Sequence, residues 1–561
     1  MLFNSANLQK YFLIGFIYLL VAVSLIIKTI FGFDMTDEMQ YYGQISGLIG
    51  SNSFFQNDLF FQQTVYLIFY PIIKIYSLFF GQNSLIIFSR AILALLIFSV
   101  FVYSYLKIIS IGTDKYLSSI YSFALTFTIP FHGVFALSYN TVSQAIWVIF
   151  LLNFYDWKNK NIFLLSLLIS FMSFAHPTSA ISIFLIIFIR LIFSKEFVNL
   201  KLLLKLLIFE FTAIALLTLQ VSSFNDYLSS LIFSSGFEVG SMFFSNLIQL
   251  ILFLFISIIL FFPFLKLSEL NSFLSKINFQ YSFIIYSIVI VIFFYFDHRY
   301  YGYSPRNVIL FSGLLGLSLL LFNKNFESFE NRKYRDYLWL LFSFFIYLST
   351  ISVTSGNGIS QSIGPLMIAI CLINVLDSIN KGFRYKNLLL SCCILFIFIF
   401  HANNYSYREV NWWEATEKVE GVSEFNGLRT SSNRISFIEK MQDEFSFLKN
   451  SSLLLVSEFP AIYFILNTKP ETCMFYMHSI RSKSSEIELL NCLNKKNPNY
   501  ILNINEDSFF KDKSKKRVIE LVKEFSIRNN YRCQDKEIFF KEKSKQNFNP
   551  DFFKYTICER S

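Results

Sequence analysis

Long apolar runs separated by short polar segments fill the chain over residues 1–401. Runs of about 17 to 25 apolar residues are long enough to cross a bilayer as helices. The pattern therefore predicts an all-α polytopic membrane domain with about 13 transmembrane helices. The predicted spans are 11–32, 86–105, 116–135, 142–155, 162–175, 180–193, 203–221, 244–265, 281–296, 307–322, 337–353, 363–375 and 388–400.

The loops between these spans are alternately rich and poor in basic residues. Cytoplasmic loops of membrane proteins carry the excess of Lys and Arg, so the alternation predicts an N-terminus inside and a C-terminus outside. The apolar stretch 64–81 is short and contains Pro71 and Lys74. We interpret it as an interfacial helix, because counting it as a span would reverse the side of every later loop.

The composition changes near residue 402, where charged residues become frequent. Strand-like runs at 453–456, 499–504 and 536–542 accompany an amphipathic pattern at 515–525. Together they predict a small α/β domain over 402–561, on the extracytoplasmic side.

Four cysteines lie in this C-terminal region, at Cys473, Cys492, Cys533 and Cys558. Their spacing does not resemble that of a zinc site. On an oxidising side of the membrane they predict two disulfides. Four cysteines allow three pairings, and the sequence does not choose among them.

The composition supports a membrane protein and argues against a nucleic-acid-binding protein. The chain is 54% hydrophobic and only 15% charged, whereas soluble domains average about 25% charged residues. The net charge of +10 comes mainly from cations in the short loops and in the C-terminal region. We therefore expect membrane lipids as partners and no nucleic acid.

The candidate chemistry lies in the first external loop, 33–85. Asp34, Asp37, Glu38 and Asp58 follow directly on the first apolar run. Carboxylates are costly in hydrocarbon, so a group of them at a membrane face is a candidate functional site. The alternative interpretation is a solvated acidic loop.

Two segments of this loop, TDEMQYYGQISGLI and NDLFFQQTVYLIFYPIIKIYSLFFG, resemble the first external loop of GT-C glycosyltransferases. This family includes bacterial aminoarabinose transferases of lipid A and protein O-mannosyltransferases. The matching features are Asp37 and Glu38, Tyr41 and Tyr42, Asp58, the helix 64–81, and Arg90. One departure is that LFFQ follows Asp58 where the family usually has a charged residue or His and prolines.

The resemblance implies an enzyme of the bacterial inner (cytoplasmic) membrane with a GT-C-like fold. It would move a sugar from a polyprenyl-phosphate donor to a lipid, glycan or protein acceptor at the outer face. An acceptor hydroxyl needs a base to take its proton. We expect Asp37 to be that base, supported by Asp58 and Glu38, with Asp34 as the main competitor. No cofactor is certain, but Asp37 and Asp58 could hold a divalent metal such as Mg or Mn.

The leaving phosphate needs fixed cations, and guanidinium groups match its oxygens. The outward-side candidates are Arg90, Arg299 and Arg306. Candidates for sugar or acceptor binding are Tyr41, Tyr42, His298 and Tyr301. Each also has a structural interpretation, as an interfacial arginine, a structural histidine or part of an aromatic belt.

Two other functions remain open at this point. A transporter or lipid flippase needs ionisable groups or broken helices near the bilayer midplane, and Glu210 is an acid of that kind. A polysaccharide polymerase or ligase would also use isoprenoid carriers, but the later external loops predicted for this chain are short.

Overall fold

The computed structural model describes residues 5–51, 58–110, 115–127, 129, 134–235, 412–475, 483–505, 513–539 and 552–561. The predicted spans from 244–265 onward lie outside these described residues. So do four of the predicted site residues: His298, Arg299, Tyr301 and Arg306.

The described part of the N-terminal region is helical, and its helices are joined by short loops. The helices are α1 (Ser5–Ile30), α2 (Asp37–Ser51), α3 (Tyr66–Phe80), α4 (Leu85–Ser110), α5 (Lys115–Phe127), α6 (Tyr139–Tyr155), α7 (Ile162–Ala175), α8 (Pro177–Phe193), α9 (Phe197–Val221) and α10 (Phe224–Ser235). A 3-10 helix, Phe61–Val65, precedes α3. Seven of the predicted spans fall on α1 and α4 to α9.

At one end of this helical bundle, ion pairs join loops that are rich in basic residues. Lys107 at the end of α4 lies 2.7 Å from Asp156 after α6. Lys160 lies 2.7 Å from Glu196 at the start of α9, and Arg190 of α8 donates to the Phe154 carbonyl. We call this the basic end.

The opposite end carries the loop with the four carboxylates, and we call it the acidic end. Here α1 ends and α4 begins, since Arg90 donates to the Gly32 carbonyl at 2.7 Å. The helices α4 and α6 run parallel, because both Lys107 and Asp156 lie at the basic end. The start of α6 therefore also lies at the acidic end.

Helix α3 lies across the acidic end, with both of its ends there. At its start the Tyr66 hydroxyl donates to the Leu137 carbonyl just before α6. Just beyond its other end, the Ser84 amide donates to Ser423 of the C-terminal region. The interfacial location predicted for 64–81 concerns the membrane surface and stays a prediction.

Two helical segments in the described part of the chain, Phe61–Phe80 and Leu85–Ser110, are long and apolar enough to cross a membrane by length and composition. Three shorter apolar helices accompany them: Ile14–Ile30, Ile162–Ala175 and Ser179–Phe193. Several helices also expose large apolar side chains, such as Leu95 (68% exposed) and Phe209 (74% exposed). Helices that are apolar on their outer as well as their inner faces are typical of membrane bundles.

The C-terminal region combines strands and helices, as the sequence predicts. The strands are β1 (Glu417–Lys418), β2 (Arg429–Thr430), β3 (Ser452–Val456), β4 (Lys469–Pro470), β5 (Tyr500–Asn505), β6 (Tyr531–Phe539) and β7 (Phe552–Arg560). The helices are α11 (Ser432–Glu444), α12 (Ala461–Ile465), α13 (Lys483–Leu493) and α14 (Lys513–Arg528). We call this the C-terminal unit.

Its main sheet is mixed, with the strand order β4-β3-β5-β7-β6. Strands β3, β4 and β5 are parallel, whereas β7 runs antiparallel to both β5 and β6. Side chains alternate between the faces of a strand. Leu453 and Leu455 accordingly belong to the main core, and Leu454 and Val456 to a second core with α13 and α14.

The C-terminal unit packs against the acidic end of the bundle. The Ala461 amide donates to the Met35 carbonyl at 3.3 Å, and the Leu59 amide donates to the Cys473 carbonyl at 2.9 Å. At Gly43 of α2, an added Cβ would lie 2.6 Å from the Phe475 ring. Helix α2 and the C-terminal unit therefore approach too closely here for any larger residue.

Two disulfides join Cys473 to Cys492 and Cys533 to Cys558. The predicted pair of disulfides is thus confirmed, and the structure selects one of the three pairings. Cys533 and Cys558 lie directly opposite each other on β6 and β7. The sequence alone could not reveal this register, because four cysteines allow three pairings.

We predict that peptide mapping of the unreduced protein by mass spectrometry finds only the 473–492 and 533–558 cross-links. Replacing both Cys473 and Cys492 by Ser should lower the free energy of unfolding by about 3 kcal/mol, because the open loop regains chain entropy. Cross-links joining Cys473 or Cys492 to Cys533 or Cys558 would contradict this sheet register.

Candidate functional site

Glu38 and Arg90 form a buried ion pair at the acidic end. The Arg90 Nε lies 2.8 Å from Glu38 Oε1, and both side chains are 2% exposed. The Arg90 Nη2 donates to Glu38 Oε2 at 3.0 Å, so the pair is bidentate. Glu38 Oε1 also accepts from the Tyr42 hydroxyl at 2.8 Å. The pair joins α2 to α4.

The guanidinium of Arg90 also holds the end of α1. It donates to the carbonyls of Lys28, Thr29 and Gly32. With the two bonds to Glu38 these interactions match the five N–H donors of arginine. The geometry favours this structural role over the donor-phosphate binding that the sequence suggested, because binding phosphate would break bonds inside the fold.

Asp34 acts as a cap for the start of α2. Its carboxylate accepts from the Thr36 hydroxyl at 2.7 Å and from the Glu38 amide at 3.2 Å. The Asp34 amide in turn donates to Glu38 Oε2 at 2.8 Å. This reciprocal arrangement resembles a capping box. Asp34 is only 3% exposed, so the geometry favours capping over a role as the base.

Asp58 joins α2 to the C-terminal unit. Its carboxylate accepts from the Phe60 amide at 2.9 Å and from Gln44 Nε2 at 2.8 Å. It also accepts from the Phe475 amide and the Gln40 side chain. Burial raises the pKa of Asp58 to about 7, although these hydrogen bonds act in the opposite direction. The side chain is 1% exposed, so the geometry favours a structural role for Asp58, which holds α2 against the C-terminal unit.

Asp37 differs from the other three acids of the loop in being half-buried. It is the first residue of α2, where the helix dipole favours a negative charge. Residues four apart share one face of a helix, so Asp37 lies beside Tyr41 and Glu38 beside Tyr42. Because Glu38 faces Arg90, Asp37 faces another direction, towards α6.

The first turn of α6 lies against Asp37 and Tyr41. The rings of Tyr41 and Tyr139 meet edge to face, with centroids 6.2 Å apart. Burial, then the neighbouring Tyr139 and Asp37, raise the pKa of the Tyr41 hydroxyl, and a hydrogen bond with Asn140 opposes them. Tyr41 therefore stays protonated and can both donate and accept hydrogen bonds.

The structure brings together only some of the residues that the sequence predicted. Asp37 and Tyr41 share one half-buried face, whereas Glu38 and Tyr42 face the buried Arg90. Sequence reasoning assigned no role to Gln40 and Gln44, although both lie within one turn of Tyr41 on α2. Sequence reasoning also favoured a plain turn for the 138–141 segment over a cavity-lining role, and so it did not select Tyr139 and Asn140.

The described part of the chain contains no group of three or more His, Cys, Asp or Glu side chains that could hold a metal ion. Asp58 already accepts bonds from several N–H donors, which would have to be displaced by a cation. The chemistry of this donor set does not fit a metal held by Asp37 and Asp58.

We predict that Glu38→Gln lowers the free energy of unfolding by about 3 to 5 kcal/mol, because Arg90 would be left buried without its counter-charge. Thermal unfolding in detergent measures the change. The matched control is Glu537→Gln, which breaks an exposed pair with Lys554 and should cost less than about 1 kcal/mol. A Glu38→Gln protein as stable as the wild type would contradict this prediction.

We predict that Asp58 makes the protein less stable as the pH rises from about 4 to about 7. The folded pKa lies above the ordinary value of 3.8, so the folded state binds the extra proton in this window. Unfolding temperatures measured across it should fall more steeply for the wild type than for Asp58→Asn. The exposed Asp443→Asn change should keep the wild-type slope, and equal slopes for wild type and Asp58→Asn would refute the prediction.

No known family model matches this chain, and no curated protein gives a significant match.

Proposed function

We propose that this protein is a membrane glycosyltransferase of the GT-C type. It transfers a sugar from a polyprenyl-phosphate donor to an acceptor at the outer face of the membrane, with Asp37 as the general base. One observation carries the proposal: of the four acids in the loop, Asp34, Glu38 and Asp58 are buried and bonded within the fold, while Asp37 is half-buried beside tyrosines.

The proposed membrane placement has about 13 spans, with the acidic end outside. Two features support this orientation. The loops at the basic end match the positive-inside pattern, and the C-terminal unit at the other end contains two disulfides, which persist in oxidising compartments. A polyprenyl donor cannot leave the bilayer, so its sugar must react at the membrane face.

The proposed reaction is a single displacement at the anomeric carbon. The acceptor oxygen forms a bond to C1 while its proton passes to the Asp37 carboxylate. The bond between C1 and the phosphate oxygen breaks, and its electron pair leaves with polyprenyl phosphate. One attack from the opposite face inverts the configuration at C1.

The leaving phosphate must be stabilised by positive charge. Arg90 is engaged with Glu38 and with the end of α1, which makes it a poor ligand for phosphate. Arg299 and Arg306 stay the proposed phosphate ligands, and both lie outside the described residues.

One observation favours a second candidate, a transporter or flippase. Glu210 lies in the interior of α9, is buried, and accepts from Ser166 at 2.8 Å and Ser170 at 2.5 Å on α7. Ionisable groups within spans often mark transport pathways. Uptake into sealed vesicles that is lost in Glu210→Gln, without any glycosylated product, would favour this function.

We predict that Asp37→Asn lowers the transfer rate by about 10²- to 10⁴-fold, because the acceptor hydroxyl loses its base. The measurement follows sugar transfer from a short-chain prenyl-phosphate sugar by mass spectrometry of the product. A single added sugar would also separate a transferase from a polymerase.

The matched control is Asp226→Asn, which alters an exposed acid on α10 and should leave the rate within about twofold. Thermal unfolding of both variants should resemble the wild type, which excludes a folding defect. Full activity in folded Asp37→Asn would remove Asp37 from the mechanism.

A further inference from the structure

We infer that the first turn of α6 completes a binding subsite for the pyranose ring of the donor, with Tyr41 and Tyr139 as its walls and Asn140 as its polar anchor. The inference rests on the proposed function and deepens it by adding Tyr139 and Asn140 to the site.

The geometry places these side chains around Asp37. The Tyr41 and Tyr139 rings meet at 72° with centroids 6.2 Å apart, so they form a corner rather than a flat stack. The Asn140 side chain hydrogen-bonds both tyrosines, and Asp37 interacts electrostatically with both. All four residues are half-buried, which gives a ligand access to them.

This combination of groups fits a sugar. A pyranose ring has apolar C–H faces that pack against aromatic rings, and hydroxyls that need both donors and acceptors. The amide of Asn140 and the phenols of Tyr41 and Tyr139 provide both kinds of group. Binding sites typically combine aromatic walls with a few polar groups that fix orientation.

The negative charge of Asp37 favours the sugar of the donor, and not its phosphate, at this position. Asp37 carries the negative charge that the proposed base needs, and a phosphate beside it would be repelled. A neutral sugar ring is not repelled. Its anomeric carbon must also lie about 3 to 3.5 Å from the attacking oxygen, and Asp37 must reach that oxygen's proton.

The start of α6 is held by other residues, so its backbone does not depend on the side chains of Tyr139 and Asn140. Ser138 and Thr141 form a reciprocal capping box, with bonds of 3.0 and 3.3 Å. The Tyr66 hydroxyl also donates to the Leu137 carbonyl at 3.1 Å. These bonds fix the backbone, and so they preorganise the side chains that face α2.

The test uses the full-length protein in lipid nanodiscs with a farnesyl-phosphate hexose as donor. Asn140→Ala should raise the KM for this donor by about tenfold, because bonds to the sugar hydroxyls are lost. Neither kcat nor the KM for the acceptor should change by more than about twofold. Tyr139→Phe should give a smaller rise in the donor KM, since the ring is retained.

The control is Asn159→Ala, which changes an exposed asparagine at the basic end and should leave every parameter unchanged. An unchanged donor KM in Asn140→Ala, together with loss of transfer in Asp37→Asn, would overturn the subsite and leave the proposed function standing.

A binding measurement further separates the proposed subsite from the proposed transferase function. Calorimetric titration of the same donor into Asp37→Asn and into Asp37→Asn/Asn140→Ala should show about tenfold weaker binding to the double variant. Equal affinities, or no binding to either protein, would overturn the subsite. Binding that depends on Asn140, together with a wild-type protein that transfers no sugar, would support the subsite and contradict the transferase.

Discussion

The buried ion pair between Glu38 and Arg90 is the interaction on which the acidic end depends. It fixes α2 against α4 and, through the Gly32 carbonyl, against the end of α1. Successive residues of an α-helix point about 100° apart. Once Glu38 faces Arg90, Asp37 must face elsewhere, towards Tyr139. A structural pair thus orients the neighbouring acid.

The same helix also anchors the C-terminal unit. Gln44 bonds Asp58, which also accepts the Phe475 amide, and Gly43 lets the Phe475 ring approach the α2 backbone. The disulfide at Cys473 lies two residues away along the chain. Helix α2 therefore has one face for the buried pair and another for the proposed substrate. Gln44, seven residues after Asp37, lies on the same face as Asp37 and Tyr41 and links this face to the C-terminal unit through Asp58.

Much of the local structure could be predicted from the sequence. The run at 453–456 and the 499–504 segment fall in β3 and β5, and the amphipathic pattern at 515–525 falls in α14. These strands and this helix could be predicted because the hydrophobic periodicity of each is a local property of its own residues. Length and composition alone would make Phe61–Phe80 a possible span. The shortness of 64–81, its Pro71 and Lys74, and the alternation of basic loops predicted an interfacial helix instead.

The roles of individual residues were harder to predict, because they depend on contacts distant in the chain. Arg90 and Glu38 are 52 residues apart, and nothing in either segment shows that one binds the other. Arg90 was therefore expected to bind phosphate. Tyr139 and Asn140 were missed for the same reason, since their partners lie on α2.

The most direct test of this account is a cryo-electron microscopy structure of Asp37→Asn with a farnesyl-phosphate hexose bound. The account predicts the hexose at the acidic end, with its anomeric carbon beside residue 37 and its ring against the corner formed by Tyr41 and Tyr139. A hexose bound at the opposite end, near Lys107 and Asp156, would contradict it.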